Sequence, residues 1–120
     1  MPYLDLVKEA LHTGYHSVMV DGSRLTLDEN IRATAEVSEL AHAHGVPVEA
    51  ELGAVMGHEE SPSMSYEEIL EKRAGFTDSA EAERFVKESG CDWLSVAFGN
   101  IHGFVSKALR DKEKVAARLD

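Results

Sequence analysis

Apolar and polar residues alternate along this chain in two ways, one typical of helices and one typical of strands. Apolar residues at helical spacing predict a helix over residues 3–13, and Gly14 supplies its C-terminal cap. Three apolar runs instead predict buried strands. These runs span Tyr15–Asp21, Val46–Leu52 and Asp92–Phe98. Helical stretches separate the runs, so helices and strands alternate along the chain.

Two further helices are predicted from the residues at their ends. Asp28 can cap a helix over residues 29–44 that has one apolar face, and Gly45 ends it. The sequence Thr77-Asp78-Ser79 opens another helix over residues 80–89. Alternating strands and helices predict an α/β fold in which the strands are parallel and the crossovers right-handed.

The segment over residues 53–76 differs in composition from its neighbours. Two early glycines are followed by Ser61-Pro62-Ser63, and a short helix fits residues 65–73. A connection of this length is more often a functional lid than a plain connector. Glu59 and Glu60 lie in it, where a mobile carboxylate could close over a substrate as an acid or a base. The alternative for both residues is a solvated acidic loop.

Groups that bind or steer metals follow each of the three predicted strands. They are Asp21, Glu51 and His102. In a parallel sheet or barrel the carboxyl ends of the strands open onto one face, so we expect these side chains to converge. Two carboxylates and an imidazole form a metal environment that lacks the further histidines of a His-rich site. The alternatives are a turn through Gly22-Ser23 for Asp21 and a structural or solvated imidazole for His102.

Composition limits the kinds of partner. The chain has 120 residues, enough for one modest domain, and 43% of them are hydrophobic, which indicates a globular protein. A net charge of −10 disfavours nucleic acid and anionic membranes as partners. With Cys91 as the single cysteine, no intrachain disulfide can form. No signal segment or membrane-length apolar run is present, so the predicted location is the cytoplasm.

Two kinds of chemistry lack a candidate in this sequence. No lysine lies near a predicted strand end, so there is no candidate for Schiff-base catalysis in this segment. Neither of the glycine-rich phosphate-binding motifs, Gly-x-x-x-x-Gly-Lys and Gly-x-Gly-x-x-Gly, occurs.

Six motifs, in order, resemble those of the class II, metal-dependent ketose-bisphosphate aldolases, the family of fructose- and tagatose-bisphosphate aldolases. The motifs are SVMVDGS (17–23), ENI (29–31), VEAELG (48–53), GHEE (57–60), FTD (76–78) and VAFGNIHG (96–103). The resemblance covers nearly the whole chain. It implies an α/β fold that is part of a TIM barrel, from the third helix to the sixth strand of a (β/α)8 barrel, with residues 1–120 as one partial domain.

The resemblance also implies roles for individual residues. His102 matches one of three histidines that hold Zn²⁺, while Asp21 and Glu51 match acidic positions that contact the metal in an alternate location. Glu59 or Glu60 matches the lid carboxylate, and Gly103 matches a backbone contact to the phosphate of dihydroxyacetone phosphate. The implied reaction is reversible aldol cleavage of a phosphorylated ketose, with the metal as Lewis acid. The family resemblance further implies a homo-oligomeric full-length protein.

The sequence departs from the family pattern in ways that leave a second interpretation open. The family's His-x-Asp-His-Gly motif, which carries a metal histidine and the catalytic aspartate, would precede Met1, and Met56 stands where the lid usually has a second glycine. The third histidine would follow Asp120. We therefore expect the chain to be inactive alone. The alternative is a non-catalytic truncated α/β module that self-associates or binds metal weakly. A third possibility, an unrelated metal-binding α/β protein, would need another histidine at the strand ends.

Overall fold

Helices and strands follow one another in the predicted order. The computed structural model describes residues 2–54 and 66–99. Its helices are α1 (Pro2–Thr13), α2 (Leu27–Ala43), α3 (Tyr66–Lys72) and α4 (Ser79–Ser89). Its strands are β1 (Val18–Asp21), β2 (Val48–Leu52) and β3 (Trp93–Val96). The predicted short helix near residues 65–73 is confirmed as α3, and residues 55–65 of the predicted lid lie outside the described part.

The strands are shorter than the apolar runs that predict them. Tyr15 lies between α1 and β1, because its N–H donates to the Ala10 carbonyl of α1 (3.2 Å) and its side chain is exposed. Beyond β3, the N–H of Ala97 donates to the side-chain oxygen of Thr77 (2.8 Å), and the Ala97 carbonyl accepts from the Thr77 N–H (2.8 Å). Hydrogen bonds to residues outside the sheet therefore determine where β1 begins and where β3 ends.

The cap of α2 corrects the sequence prediction. Asp28 is not the N-cap; Thr26 is, two residues earlier. The Thr26 hydroxyl accepts from the N–H of Glu29 (3.3 Å), while the Glu29 carboxylate accepts from the N–H of Thr26 (3.1 Å). This reciprocal pair is a capping box, and it satisfies two helix-end donors that a lone aspartate would not. Asp28 lies in the first turn, where its charge interacts favourably with the helix dipole.

The cap predicted for α4 is confirmed. The Asp78 carboxylate accepts from the N–H of Glu81 (3.0 Å) at the N-terminus of the helix. At the other end Gly90 takes a left-handed conformation (φ 69°), which glycine adopts without the steric cost paid by other residues.

The three strands form one parallel sheet in the order β1-β2-β3. This arrangement confirms the predicted α/β class and parallel strands. The described residues belong to two compact units. One comprises residues 2–52 and 78–96, and the other comprises residues 53–54, 66–77 and 97–99.

The core of the first unit lies between the helices and one face of the sheet. Near β1 and β2 it is built by Leu11, Val18, Val37, Ala41 and Val48. Towards β3 it is built by Ile31, Ala50, Leu52, Phe85 and Cys91. Cys91 is thus a small packed residue of this core. The helices cover one face of the sheet. The alternate residues of each strand project from the opposite face, where the candidate site lies.

Candidate functional site

The carboxyl ends of the strands bring two acidic side chains together. Asp21, the last residue of β1, is the register partner of Glu51 in β2, and Glu51 is the register partner of Ser95 in β3. Because register partners on parallel strands project to the same face and neighbouring strands lie about 5 Å apart, both carboxylates start from adjacent backbone positions. Asp21 is exposed and Glu51 is half-buried. The structure therefore places the two sequence-predicted carboxylates at the same sheet edge.

Asp21 also makes the turn that follows β1. Its Oδ1 accepts hydrogen bonds from the N–H of Ser23 (3.1 Å) and from the Ser23 hydroxyl (2.6 Å). This is the turn role that the Gly22-Ser23 sequence predicts as the alternative. The turn and a metal contact are compatible, since a carboxylate accepts at two oxygens. The two bonds hold the carboxylate at the sheet edge instead of leaving it to rotate in solvent.

A buried amide lies directly beneath the acidic pair. Asn30, in the first turns of α2, is 1% exposed and donates from Nδ2 to the backbone carbonyl of Glu51 (2.9 Å). Its Oδ1 accepts from the hydroxyl of Thr34 (3.3 Å). Asn30 belongs to the ENI motif (29–31), but the sequence analysis predicts no role for it, because the helix is predicted from its apolar residues. The signal was present: Asn30 and Thr34 fall on the same helical stripe as the buried Val37 and Ala41.

A second row of side chains lies one step down the same face of the sheet. Glu49 is the register partner of Met19 on one side and of Trp93 on the other. Met19 is 51% exposed and Trp93 is 54% exposed, whereas Glu49 is half-buried. Two large apolar side chains thus flank a carboxylate, an arrangement typical of a face that packs against further protein.

The second unit holds together the two ends of the predicted lid. Ala54 donates its N–H to the carbonyl of Gly75 (2.8 Å). Gly53 has a φ of 88°, and a Cβ there would overlap the Thr77 hydroxyl and approach the Gly75 carbonyl to 2.9 Å. The backbone can make this close approach only because position 53 has no side chain. Four further predicted site residues lie outside the described part of the chain: Glu59, Glu60, His102 and Gly103.

The opposite end of the sheet carries a hydrogen bond between His42 and Asp92. His42 Nε2 lies 2.8 Å from Asp92 Oδ2, and the same oxygen accepts from the N–H of Val48 (2.8 Å). The hydrogen bond with His42, followed by that from Val48, lowers the pKa of Asp92 below its ordinary value. This end lies away from the carboxyl ends of the strands, so His42 stabilises the fold and is no candidate ligand for the site at those ends.

The part of the chain that the structure describes does not contain a complete set of metal ligands. Among residues 2–54 and 66–99, no group of three or more histidine, cysteine, aspartate or glutamate side chains is placed to hold a metal ion. Two carboxylates fit contact with a hard divalent cation, which prefers oxygen ligands. They do not by themselves make the four-ligand tetrahedral site that Zn²⁺ prefers.

Comparison with known proteins decides the family. The family model described as fructose-bisphosphate aldolase class-II matches residues 2–118. The chain belongs to this family. Class II aldolases are generally metal-dependent. The sequence resemblance carried by the six motifs is thereby confirmed across almost the entire chain.

Individual curated aldolases also match this chain. The chain is 45% identical over 96 residues to the fructose-bisphosphate aldolase of Helicobacter pylori (strain J99), covering 80% of this chain and 30% of that protein. It is 44% identical over 96 residues to the 6-phospho-5-dehydro-2-deoxy-D-gluconate aldolase of Bacillus velezensis, with the same two coverages. The chain therefore spans about a third of the length of these curated relatives.

A solved structure agrees with the family assignment. The crystal structure of the YdjI aldolase from Escherichia coli K12 superposes with a TM-score of 0.64 at 36% sequence identity. The match covers 82% of this chain and 31% of that one. Among the described residues of the present chain, no helix is long and apolar enough to cross a membrane.

Proposed function

We propose that this chain supplies the third helix to the sixth strand of a class II aldolase (β/α)8 barrel, with residues 1–120 as a partial domain and residues 53–76 as its lid. The complete barrel catalyses reversible aldol cleavage of a ketose bisphosphate to dihydroxyacetone phosphate and an aldehyde. One observation carries the proposal: Asp21 and Glu51 are register partners at the carboxyl end of a parallel sheet, in a chain of this family.

The proposal assigns the metal to the carboxyl ends of the strands. His102 would provide an imidazole ligand, and Asp21 and Glu51 would provide oxygen contacts from neighbouring strands. Zn²⁺ is the proposed ion, and when bound it supplies Lewis-acid polarisation of the ketone oxygen. The acidic pair fits this role because carboxylates are suitable ligands for a divalent cation, while the remaining histidines must come from other parts of a barrel.

The other proposed residues bind substrate and move protons. Glu59 or Glu60 would transfer a proton at the reacting carbon from the lid, and the backbone of Gly103 would contact a substrate phosphate. Neither role needs a lysine, which agrees with the absence of lysine from the predicted strand ends. Assembly of the full protein as a homo-oligomer is carried from the family resemblance, and a cytoplasmic location is carried from the sequence prediction; both are part of the proposal.

A chimaera tests this function. In the Helicobacter pylori aldolase, the segment equivalent to residues 2–118 of this chain would be replaced by those residues. We expect the chimaera to cleave a ketose bisphosphate when supplied with zinc, and to lose most of its turnover on Glu51→Gln or His102→Ala. Glu49→Gln is the matched control, on the same strand and the same face as Glu51. A folded chimaera without aldolase activity would contradict the proposal.

A second candidate function is a non-catalytic module that self-associates or binds metal weakly. The half-exposed Met19 and Trp93 side chains favour it, because they are large apolar groups on one face of the sheet. The chimaera distinguishes the two candidate functions, because a segment that has lost catalytic competence would fold within the chimaera without restoring its aldolase turnover.

A further inference from the structure

A single buried side chain connects the two acidic strand ends. Asn30 Nδ2 donates to the carbonyl oxygen of Glu51, and the same amide packs against the backbone of Gly22, the residue directly after Asp21. A Cβ on Gly22 would overlap Asn30 Oδ1. One side chain on α2 therefore contacts both the loop after β1 and the carboxyl end of β2.

The Asn30 side chain is itself held in place. It is 1% exposed, and its Oδ1 accepts from Thr34, which is fully buried one helical turn later. The amide is thus bonded through both its donor and its acceptor. A buried amide with these bonds has one orientation, since turning it by half a rotation would set its oxygen against the Glu51 carbonyl.

From these contacts we propose that Asn30 is the positioning residue of the acidic pair. It acts through the backbone, by fixing the Glu51 carbonyl and the Gly22 turn relative to α2. The spacing of the Asp21 and Glu51 side chains then follows from the placement of their backbones. The value of this spacing for metal contact rests on the proposed function, whereas the positioning itself does not.

The geometric part can be tested on the native chain by nuclear magnetic resonance. A through-hydrogen-bond coupling between Asn30 Nδ2 and the Glu51 carbonyl carbon is expected. In Asn30→Ala, the backbone amide resonances of both Gly22 and Glu51 should move. In Thr34→Val, which removes only the bond to Oδ1, those two resonances should stay close to their native positions.

Two results would overturn the positioning role. One is the absence of the coupling in the native chain. The other is a folded Asn30→Ala variant whose Gly22 and Glu51 resonances are unchanged, or are shifted no more than in Thr34→Val. If Asn30→Ala does not fold, Gly22→Ala takes its place: its methyl group would displace the amide, so the Glu51 resonance should move, and a stationary Glu51 counts against the proposal.

The metal-contact part has its own readout. Mn²⁺ added to the labelled chain should broaden the signals of Asp21 and Glu51 by paramagnetic relaxation. Asn30→Ala should weaken this Mn²⁺ binding by about tenfold, as is typical when a group that orients a ligand is removed, while Thr34→Val should change it less than about twofold. A native chain that shows the Asn30 coupling and no broadening would contradict the proposed metal contact and leave the positioning role standing.

Discussion

Asp92 and Val48 bond to each other twice, once through a side chain and once through the backbone. The Asp92 carboxylate accepts from the Val48 N–H (2.8 Å), and the Asp92 N–H donates to the Val48 carbonyl (2.8 Å). His42 adds a third bond to the same carboxylate oxygen. These bonds join the starts of β2 and β3, at the end of the sheet opposite to the acidic pair.

The first prediction is a pH dependence of stability that comes from Asp92. Its pKa is lowered in the folded chain, mainly by His42 and also by Val48, so its contribution to stability is fully present above the ordinary aspartate pKa of about 4. The contribution is lost as the pH falls from that value through the lowered folded-state pKa. Asp92→Asn should therefore unfold more readily at neutral pH and show a shallower loss of stability across this acidic range.

Chemical denaturation at a series of pH values measures this effect. Asp5→Asn is a suitable control, because Asp5 is exposed and forms only a surface ion pair with Lys8 at 3.6 Å. An Asp92→Asn variant with the same acid profile as the native chain would show that the His42 and Val48 bonds contribute nothing measurable to folding.

The second prediction concerns the core between α4 and the sheet. Phe85 is fully buried, and Phe85→Ala should lower the free energy of unfolding by about 3–5 kcal/mol through lost burial and a residual cavity. Val86→Ala is the matched control on the next residue of the same helix, because Val86 is 44% exposed; its effect should stay within about 0.5 kcal/mol. Equal effects of the two substitutions in denaturant unfolding would contradict the described packing of α4.

The third prediction separates backbone strain from steric overlap at a glycine. Gly14 and Gly53 have similar positive φ angles of 98° and 88°, but a Cβ would meet nothing within 4 Å at Gly14 and would overlap Thr77 at Gly53. Gly14→Ala should cost about 1 kcal/mol, from backbone conformation alone. Gly53→Ala should cost roughly 1–3 kcal/mol more, because packed atoms must move. Unfolding free energies that are equal for the two variants would rule out the close junction at Gly53.

Short-range patterns in the sequence predict a large part of this fold. The apolar runs give three parallel strands in their observed order, and the strand ends give Asp21 and Glu51 at one edge. The strands follow from side-chain alternation over a few residues. The shared edge follows from a general rule of parallel sheets, in which the carboxyl ends of the strands open onto one face. The cap at Thr26 was also readable, since Thr26 and Glu29 have capping-box spacing.

Features that depend on contacts between distant residues were not predictable in the same way. Asn30 bonds to a carbonyl 21 positions away, and Thr77 bonds to Ala97 20 positions away. No local pattern specifies which distant backbone group a polar side chain will meet. An asparagine on the buried stripe of a helix predicts that some partner exists, because an unpaired buried amide is costly, but it does not identify that partner.

The fourth prediction is self-association through the face that carries Met19 and Trp93. Both side chains are about half exposed and belong to one row of the sheet, so burying them against a second copy would remove apolar surface from water. Light scattering after size-exclusion chromatography should show species larger than a monomer. Trp93→Lys should shift the population towards monomer, whereas Leu6→Lys, at an exposed position on α1, should not. A native chain that is monodisperse as a monomer would contradict this prediction.

The last prediction is that this chain alone has no detectable aldolase turnover, even with zinc added. The chemistry needs a tightly held Lewis acid and a base positioned for proton transfer. In the described residues no three metal-ligating side chains are grouped, and the sequence contains no His-x-Asp-His-Gly motif. Asp21 and Glu51 can contact a divalent ion, but two carboxylates should hold Zn²⁺ far more weakly than three histidines do. A coupled assay on fructose and tagatose bisphosphates during a zinc titration measures this, with the chimaera as positive control. Turnover by the purified chain that disappears in His102→Ala would show that the chain itself assembles a working site.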